Sequence, residues 1–364
     1  MKAYIINKPL IVITLIFVFL FIFSERIYAQ EHSYQEINAD SYIVIDSKTG
    51  EIIIEKNMNK QQFPASITKI ITAIIAIQER DINETVTISE HAQNTEGTSL
   101  SLIAGDRISL KDLLYGIMLH SGNDGAVAIA EHISNSEMEF AKKMTSFARS
   151  IGANNTQFTN ASGLPNNNHY TTAYDMAIIT RYAMKNNVFK EIVQHKQYTW
   201  DSHFWRNDLM EHEKIDASKL GIPWEGDPKI VNHNLLLDLY EGATGIKNGF
   251  THEARYTLVG SAKKKGTELI AVLLKSKDSD TAYKDMTNLL DSGFKVIEEN
   301  SNNLAVNQED ELLRNQGQLS NPEKETVKKQ SNIKAMMNNF YTLPLTVLIV
   351  SLIILLIIKR KQNR

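Results

Sequence analysis

The chain has no cysteine in 364 residues, which removes disulfide scaffolds, thiol nucleophiles and cysteine-ligated metals. It also lacks a dominant charge. Its 39 basic and 42 acidic side chains leave a formal net charge of −3, which argues against a nucleic-acid surface. There is no Gly-x-Ser-x-Gly elbow of a Ser-His-Asp hydrolase and no His-Glu-x-x-His of a zinc peptidase. No residue pattern calls for a metal or any other cofactor. What the chain does have is 43% hydrophobic residues, enough for a sizeable core, and an apolar run near each end.

The first run, Pro9 to Phe23, follows Lys2 and Lys8 and precedes Ile27-Tyr28-Ala29, the pattern of a secretory signal peptide over residues 1–29. An uncleaved anchor is the alternative, because Ser24-Glu25-Arg26 is polar for that position. In the second run, Leu343 to Ile358, only Pro344, Thr346 and Ser351 break the aliphatic pattern, and Phe340 and Tyr341 stand before it. As a helix, residues 340–358 span about 28 Å, close to the hydrocarbon thickness of a bilayer. Lys359, Arg360, Lys361 and Arg364 follow, and the positive-inside rule assigns this 359–364 tail to the cytoplasm. The expectation is an exported body anchored in a lipid bilayer by a C-terminal span. Between about Asn300 and Asn338, polar residues replace aliphatics, as in a stalk that does not order itself. A helical stalk is the alternative, since residues 309–314 and 323–329 carry helix formers.

The body, residues 39–299, alternates strand and helix patterns. Ser41 to Asp46 and Glu51 to Lys56 are β-rich and joined by Ser47-Lys48-Thr49-Gly50, a hairpin turn. Helix periodicity covers Ser66–Arg80, Leu110–His120, Asp124–Ser134, Ser136–Ile151 and Thr172–Lys185. Strand-like runs return at Ala243–Lys247, Arg255–Lys263 and Glu268–Leu274, before a last helix from Ser279 to Glu299. Strands at both ends with helices between them predict an α+β domain, one antiparallel sheet flanked by helices with an inserted helical part.

The helix that opens at Phe63-Pro64-Ala65-Ser66-Ile67-Thr68-Lys69 is apolar nearly all round, so it belongs in a core. Pro64 suits a first helical turn. Ser66 and Lys69, one turn apart, are costly there unless partnered, and can meet as a nucleophile and a base. The spacing alone selects nothing: Ser261 and Lys264, Ser292 and Lys295, and Ser331 and Lys334 share it. Only Ser66 and Lys69 open a long apolar helix after a proline.

Two further stretches carry polar groups in unusual places. In His120-Ser121-Gly122-Asn123-Asp124, between two helices, Asp124 can cap the second helix and Gly122 can make a tight turn. That account leaves Ser121 and Asn123 unexplained. In Thr244-Gly245-Ile246-Lys247-Asn248-Gly249-Phe250-Thr251, a strand ends with a cation, an amide and a glycine. This is either a solvated strand end or a site where Lys247 meets an anion and Gly249 admits a close backbone.

Ser66-x-x-Lys69, Ser121-Gly122-Asn123 and Lys247-Asn248-Gly249, in this order, resemble the serine D-alanyl-D-alanine carboxypeptidases, low-molecular-mass penicillin-binding proteins that share a fold with class A β-lactamases. Residues 96–106, Ser162-Gly163-Leu164-Pro165, residues 169–175 and Gly293-Phe294 are also similar to the family's pattern. The resemblance covers about residues 39–299 and implies catalysis by Ser66, Lys69 and Ser121. It implies substrate binding by Asn123, Lys247, Asn248, Gly249, Phe250 and Thr251, with the N–H groups of Ser66 and Phe250 as oxyanion donors. The implied partners are peptidoglycan stem peptides ending in D-Ala-D-Ala, and β-lactams as inhibitors. Lys48-Thr49-Gly50 spells the third motif but precedes the nucleophile, so it reads as structural.

Two departures stand out. Asn248 replaces the usual hydroxyl residue, and 274–285 holds no arginine, leaving Lys275 or Lys277 as substitutes. A class A β-lactamase is disfavoured because residues 154–172 contain no Asp or Glu to drive deacylation. Endopeptidase action on cross-linked peptides, and a catalytically weak penicillin-binding sensor, remain alternatives.

Overall fold

The computed structural model describes residues 36–200 and 229–316, with side chains described through Asn302. Five strands form one antiparallel sheet: β1 (Ser41–Asp46), β2 (Ile52–Lys56), β7 (Ala243–Thr251), β8 (Arg255–Lys264) and β9 (Thr267–Ser276), in the order β2-β1-β9-β8-β7. The N-terminal hairpin pairs with the C-terminal strands through β1 and β9, Ser41 opposite Leu274 and Asp46 opposite Leu269. The α+β expectation holds, with both ends of the body completing one sheet. The hairpin turns are legible in their residues. Lys265 and Gly266 both have positive φ, 49° and 86°, between β8 and β9, the backbone that a two-residue turn needs to match strand twist. In Lys48-Thr49-Gly50, Asp46 accepts from the N–H and hydroxyl of Thr49, and Arg181 donates to the carbonyls of Ser47 and Lys48. That stretch is a turn, as its position implied.

The sheet is buried on both faces, so its strands separate two cores by alternation. Ile43 and Ile45 of β1, with Ile270, Val272 and Leu274 of β9, face the helical part. Val44, Leu269, Ala271 and Leu273 face Tyr283, Met286, Leu289 and Leu290 of the C-terminal helix α9 (Ser279–Gln316). The inserted part between β2 and β7 holds α1 (Lys69–Glu79), α2 (Glu90–Gln93), α3 (Leu110–Tyr115), α4 (Asn123–Ser134), α5 (Glu137–Ser150), α6 (Ala173–Ala183) and α7 (Asn187–Gln194). Two ladders, β3 (Thr85–Thr87) with β4 (Arg107–Ser109) and β5 (Gln197–Thr199) with β6 (Lys229–Val231), and a short α8 (Leu236–Leu239) complete it. α1 is central: Ile70, Ile71, Ala73, Ile74, Ile75 and Ala76 are all at most 1% exposed. Its apolar circumference puts it inside, and Ser109, Ser136 and Thr172 cap α3, α5 and α6 by accepting N–H groups of Asp112, Glu139 and Asp175.

Three details differ from the sequence expectation. The segment expected to be helical from Ser66 begins as a 3-10 turn, Ala65–Thr68, and becomes α-helical at Lys69. The helix expected over Leu110–His120 finishes in a π turn, Gly116–His120. The last helix, expected to stop at Glu299, continues to Gln316. Leu, Ala, Gln and Glu in residues 304–316 are adequate helix formers, so composition low in aliphatics does not stop the helix there. The compact body ends at Glu298, and residues 299–364 form a second unit. Among the described residues no helix is long and apolar enough to cross a membrane; residues 1–29 and the run Leu343–Ile358 lie outside them.

The depth of α1 makes a stability test. Ile74→Ala, at a fully buried position, is expected to cost about 2–5 kcal/mol, whereas Ile52→Ala, at a side chain 40% exposed, is expected to cost less than about 1 kcal/mol. Denaturant midpoints of the two variants check this.

Candidate active site

The nucleophile turn is set by its neighbours. Ala65 has φ 51°, a left-handed conformation uncommon outside glycine. It is held from below by Gly163, also left-handed at φ 95°, where a Cβ would collide with the carbonyl of Ala65 and meet Thr68 Oγ1 at 3.0 Å. From above, β7 closes on it. A Cβ on Gly249 would lie 2.7 Å from the Ser66 nitrogen, and Thr257 Oγ1 on β8 donates to Pro64 O at 2.9 Å. Gly249 is therefore needed for the close approach inferred from the sequence.

Lys69 is fully buried, and its Nζ lies 3.0 Å from Ser66 Oγ, 2.7 Å from Asn123 Oδ1 and 2.8 Å from the carbonyl of Ser162. Burial holds its pKa well below the ordinary lysine value, and the charge of Lys247 lowers it further, against a smaller opposing effect of Asp124. In the neutral amine, two N–H bonds satisfy Asn123 and Ser162, and the lone pair is left for the hydroxyl proton of Ser66. Behind this pair lies His169, whose pKa burial and then the Lys69 charge push down to about 3. Its Nδ1 accepts from Thr159 N–H at 3.1 Å, so the proton is on Nε2 and is donated to Thr68 Oγ1 at 3.0 Å.

The Ser121–Asn123 loop enters from the π turn. Ser121 is left-handed at φ 74° and 7% exposed. Asn123 is tied at both ends, donating from Nδ2 to Glu96 O at 2.7 Å while its N–H donates to Thr98 O at 2.7 Å. The expected roles of its neighbours change. Gly122 has φ −56° and is itself the N-cap position of α4, so Asp124 does not cap that helix. Its carboxylate instead accepts from Ser99 Oγ at 2.6 Å and from the N–H groups of Leu100 and Leu102, because a loop with no ladder of its own must find acceptors elsewhere. Gly122 is required by proximity, since a Cβ there would strike Leu100.

Lys247, fully buried, donates to Asn248 O at 3.0 Å and Asn248 Oδ1 at 3.2 Å. Burial lowers its pKa to about 7. Asn248 Nδ2 donates to His233 O at 3.2 Å, and the His233 ring lies tilted against that of His120, with centroids 4.7 Å apart. Burial, then His120 and Lys247, lower the pKa of His233 to about 4, so the cleft wall beside Lys247 adds no charge at neutral pH. Phe250 is 45% exposed at the rim.

Thus Ser66, Lys69 and Asn123 are joined by hydrogen bonds, and β7 brings Gly249 against Ser66. Ser121 flanks Asn123, but among the described residues neither Lys69 nor Lys247 hydrogen-bonds to its hydroxyl. Lys277 pairs with Asp278 at 4.0 Å, and Lys275 lines a separate cavity. The Ser162 carbonyl, the Asp124 anchor and His233 join the site without belonging to any of the three sequence motifs. Gly97 and Gly163 were the available signals: both have positive φ, and a Cβ at Gly97 would strike Asn123.

A family model described as D-alanyl-D-alanine carboxypeptidase matches residues 28–278. The chain is 35% identical over 265 residues to D-alanyl-D-alanine carboxypeptidase DacF of Bacillus subtilis, covering 71% of this chain and 63% of the relative's length. It is 31% identical to DacB2 of Mycobacterium tuberculosis, covering 70% and 82%. Among solved structures it is similar to the D-alanyl-D-alanine carboxypeptidase DacD of Francisella tularensis, with a TM-score of 0.63, 30% identity and 73% of each chain covered. It is also similar to the Streptomyces K15 DD-transpeptidase, with a TM-score of 0.62, 27% identity, and 72% and 100% covered.

The depressed lysines tie the site to stability. The folded pKa of Lys247, about 7, lies below the unfolded value near 10.4, so between these pH values the unfolded chain binds more protons. Stability is expected to rise with pH across that window, with the penalty of a buried cation complete below it. Lys247→Met is expected to be more stable than the unsubstituted protein at pH 6 and to show a shallower rise, read from denaturant midpoints at pH 6 to 10.

Proposed function

The chain belongs to the D-alanyl-D-alanine carboxypeptidase family, and we propose that it hydrolyses the terminal D-Ala from peptidoglycan stem peptides through an acyl-enzyme on Ser66. β-Lactams acylate the same serine. The observation that carries this reading is the Lys69 amine, fully buried and 3.0 Å from Ser66 Oγ, with its two other directions fixed by Asn123 and Ser162. A serine is a weak nucleophile at its own pKa, and a base kept neutral by burial meets that need at neutral pH.

Lys69 takes the hydroxyl proton as Ser66 Oγ attacks the penultimate carbonyl. The N–H groups of Ser66 and Phe250 receive the developing oxyanion; the closeness of Gly249 to the Ser66 nitrogen supports this pairing. The C–N bond breaks, and Ser121 relays the proton from Lys69 to the leaving amine. Because Ser121 bonds neither lysine here, substrate must complete that relay, as catalytic hydrogen bonds often tighten only in the bound complex. Water then attacks the ester with Lys69 taking its proton, the C–O bond to Ser66 breaks, and Lys69 returns that proton to Ser66 Oγ as the shortened peptide leaves. Asn123 orients Lys69, its amide being committed to Lys69 and Glu96. Lys247 receives the terminal carboxylate, which raises the lysine pKa and keeps it charged. Asn248, Gly249, Phe250 and Thr251 present the free edge of β7 to the peptide, as in strand addition.

The domain acts outside the cytoplasm, exported by the 1–29 segment and held at the membrane by the 340–358 span, with the 39–299 catalytic domain on a 300–338 stalk. Support for this placement is the apolar and basic pattern of the sequence.

Two outcomes test the chemistry. Ser66→Ala is expected to abolish covalent labelling by a fluorescent penicillin while leaving the thermal transition in place; label of full intensity in that variant, or on Ser121, would refute the nucleophile. Asn248 turns its acceptor oxygen toward Lys247, where a carboxylate would meet it unfavourably. Asn248→Thr exchanges that acceptor for a hydroxyl donor, and kcat/KM on a D-Ala-D-Ala peptide is expected to rise by up to about tenfold, at a cost of about 1 kcal/mol from the lost bond to His233. Steady-state kinetics and a melt measure both.

A further inference from the structure

Beneath the reacting pair, one imidazole touches both walls of the Lys69 pocket. His169 is buried, with the Phe158 ring edge-on to it at 5.4 Å between centroids. Its Nε2–H donates to Thr68 Oγ1 at 3.0 Å, and its Nδ1 accepts from the Thr159 N–H at 3.1 Å. Thr68 is the last residue of the nucleophile turn. Thr159 opens the segment that, at Ser162, supplies a carbonyl to Lys69 Nζ. The same segment is tied to α1 one turn further on, where Thr72 Oγ1 donates to Ala161 O at 2.7 Å. With both ring nitrogens engaged, His169 has no lone pair for the Ser66 proton, so it can act on the reaction only through its neighbours.

The nucleophile turn has a geometric task. In a 3-10 turn residues i and i+3 eclipse, whereas in an α-helix they are rotated apart by about 60°. The Lys69 N–H donates to the Ser66 carbonyl, an i to i−3 bond, and Ser66 Oγ then stands over Lys69, 3.0 Å from its Nζ. Hydrogen bonds in a 3-10 turn are poorer than in an α-helix, so the turn needs support from outside. At its start Thr257 Oγ1 donates to Pro64 O, and Gly163 packs against the carbonyl of Ala65. At its end, where the chain becomes α-helical, His169 grips the Thr68 side chain.

We propose that His169 is a positioning residue for acylation: by bonding Thr68 and Thr159 at once, it sets the separation of the Ser66 turn from the Ser162 carbonyl and keeps Lys69 Nζ aimed at Ser66 Oγ. Proton transfer depends steeply on such alignment. Glutamine can reproduce both contacts, since its amide nitrogen donates and its amide oxygen accepts; alanine reproduces neither.

This role presupposes Ser66 as the nucleophile, so two readouts are taken on the full chain, one with a β-lactam and one without. The first is the rate constant of labelling by a fluorescent penicillin, per folded molecule, with the folded fraction taken from a melt. His169→Ala is expected to slow labelling about tenfold, and His169→Gln is expected to restore it to within about threefold. Thr68→Val removes the other partner of the bond, and the double variant with His169→Ala is expected to lose about tenfold again rather than about a hundredfold. The second readout is the titration of Lys69 by NMR of protein labelled at the lysine ε-carbons. In His169→Ala, water entering the vacated polar space solvates the ammonium, so the Lys69 titration and the acid limb of the labelling rate are expected to move to higher pH, and in His169→Gln to stay. The charged groups that act on Lys69, Lys247 and Asp124, are unchanged in every variant. An unaltered rate per folded molecule in His169→Ala, a hundredfold loss in the double variant, a glutamine variant as slow as the alanine one, or one Lys69 titration common to all would overturn the role. Absence of label from the unsubstituted protein would instead refute the Ser66 reading, and His169 would then stand or fall on the Lys69 titration.

Discussion

The amine of Lys69 is the point on which the structure depends. An ammonium taken out of water is costly unless it is paired, and no carboxylate lies within ion-pair distance of Lys69 among the described residues. The fold supplies instead two fixed acceptors, Asn123 Oδ1 and the Ser162 carbonyl. Burial then favours the neutral form, and the neutral form is the one that can take a proton from Ser66. Each acceptor needs its own support. Asn123 is held by Glu96 and Thr98, whose loop is tied down by Asp124, and Ser162 precedes the glycine that props Ala65.

The same arrangement explains why the site is a locus of strain. Ala65 and Ser121 have left-handed backbones, two lysines are fully buried, and Gly122, Gly163 and Gly249 leave no room for a side chain. Each of these features opposes stability locally. The surrounding body offsets them with two continuous cores on opposite faces of the sheet and with capped helices. Lys247 illustrates the balance: a hydrophobic replacement would avoid the desolvation that lowers its pKa, but would remove the one ammonium that β7 holds beside Asn248.

Much of this was legible in the sequence because it follows from local periodicity. The β-rich run Ser41–Asp46 specified β1 with its observed bounds, and the nearly all-apolar residues 70–77 specified a buried helix. Proline and left-handed turn residues marked where segments begin and reverse. The order of Ser66-x-x-Lys69, Ser121-Gly122-Asn123 and Lys247-Asn248-Gly249 named the candidate groups, since side-chain chemistry is carried by residue type. The short ladders β3–β4 and β5–β6 were not legible, because three residues give too few repeats for a period to declare itself.

What only the tertiary structure decided is which groups meet. A carbonyl such as that of Ser162 has no sequence signature, since every residue carries one, so its bond to Lys69 emerges only when the 162–163 turn is folded under Ala65. Asp124 looked like a helix cap because capping is a local rule; the distant Ser99–Leu102 loop outcompeted it. The depressed pKa values of Lys69 and Lys247 likewise depend on exclusion of water by segments remote in the chain. Sequence by itself determined the longer secondary elements and the chemical inventory, because those depend on residue type and short spacing. Tertiary structure decided protonation, orientation and neighbourhood, because those depend on burial and on backbone atoms that all residues share.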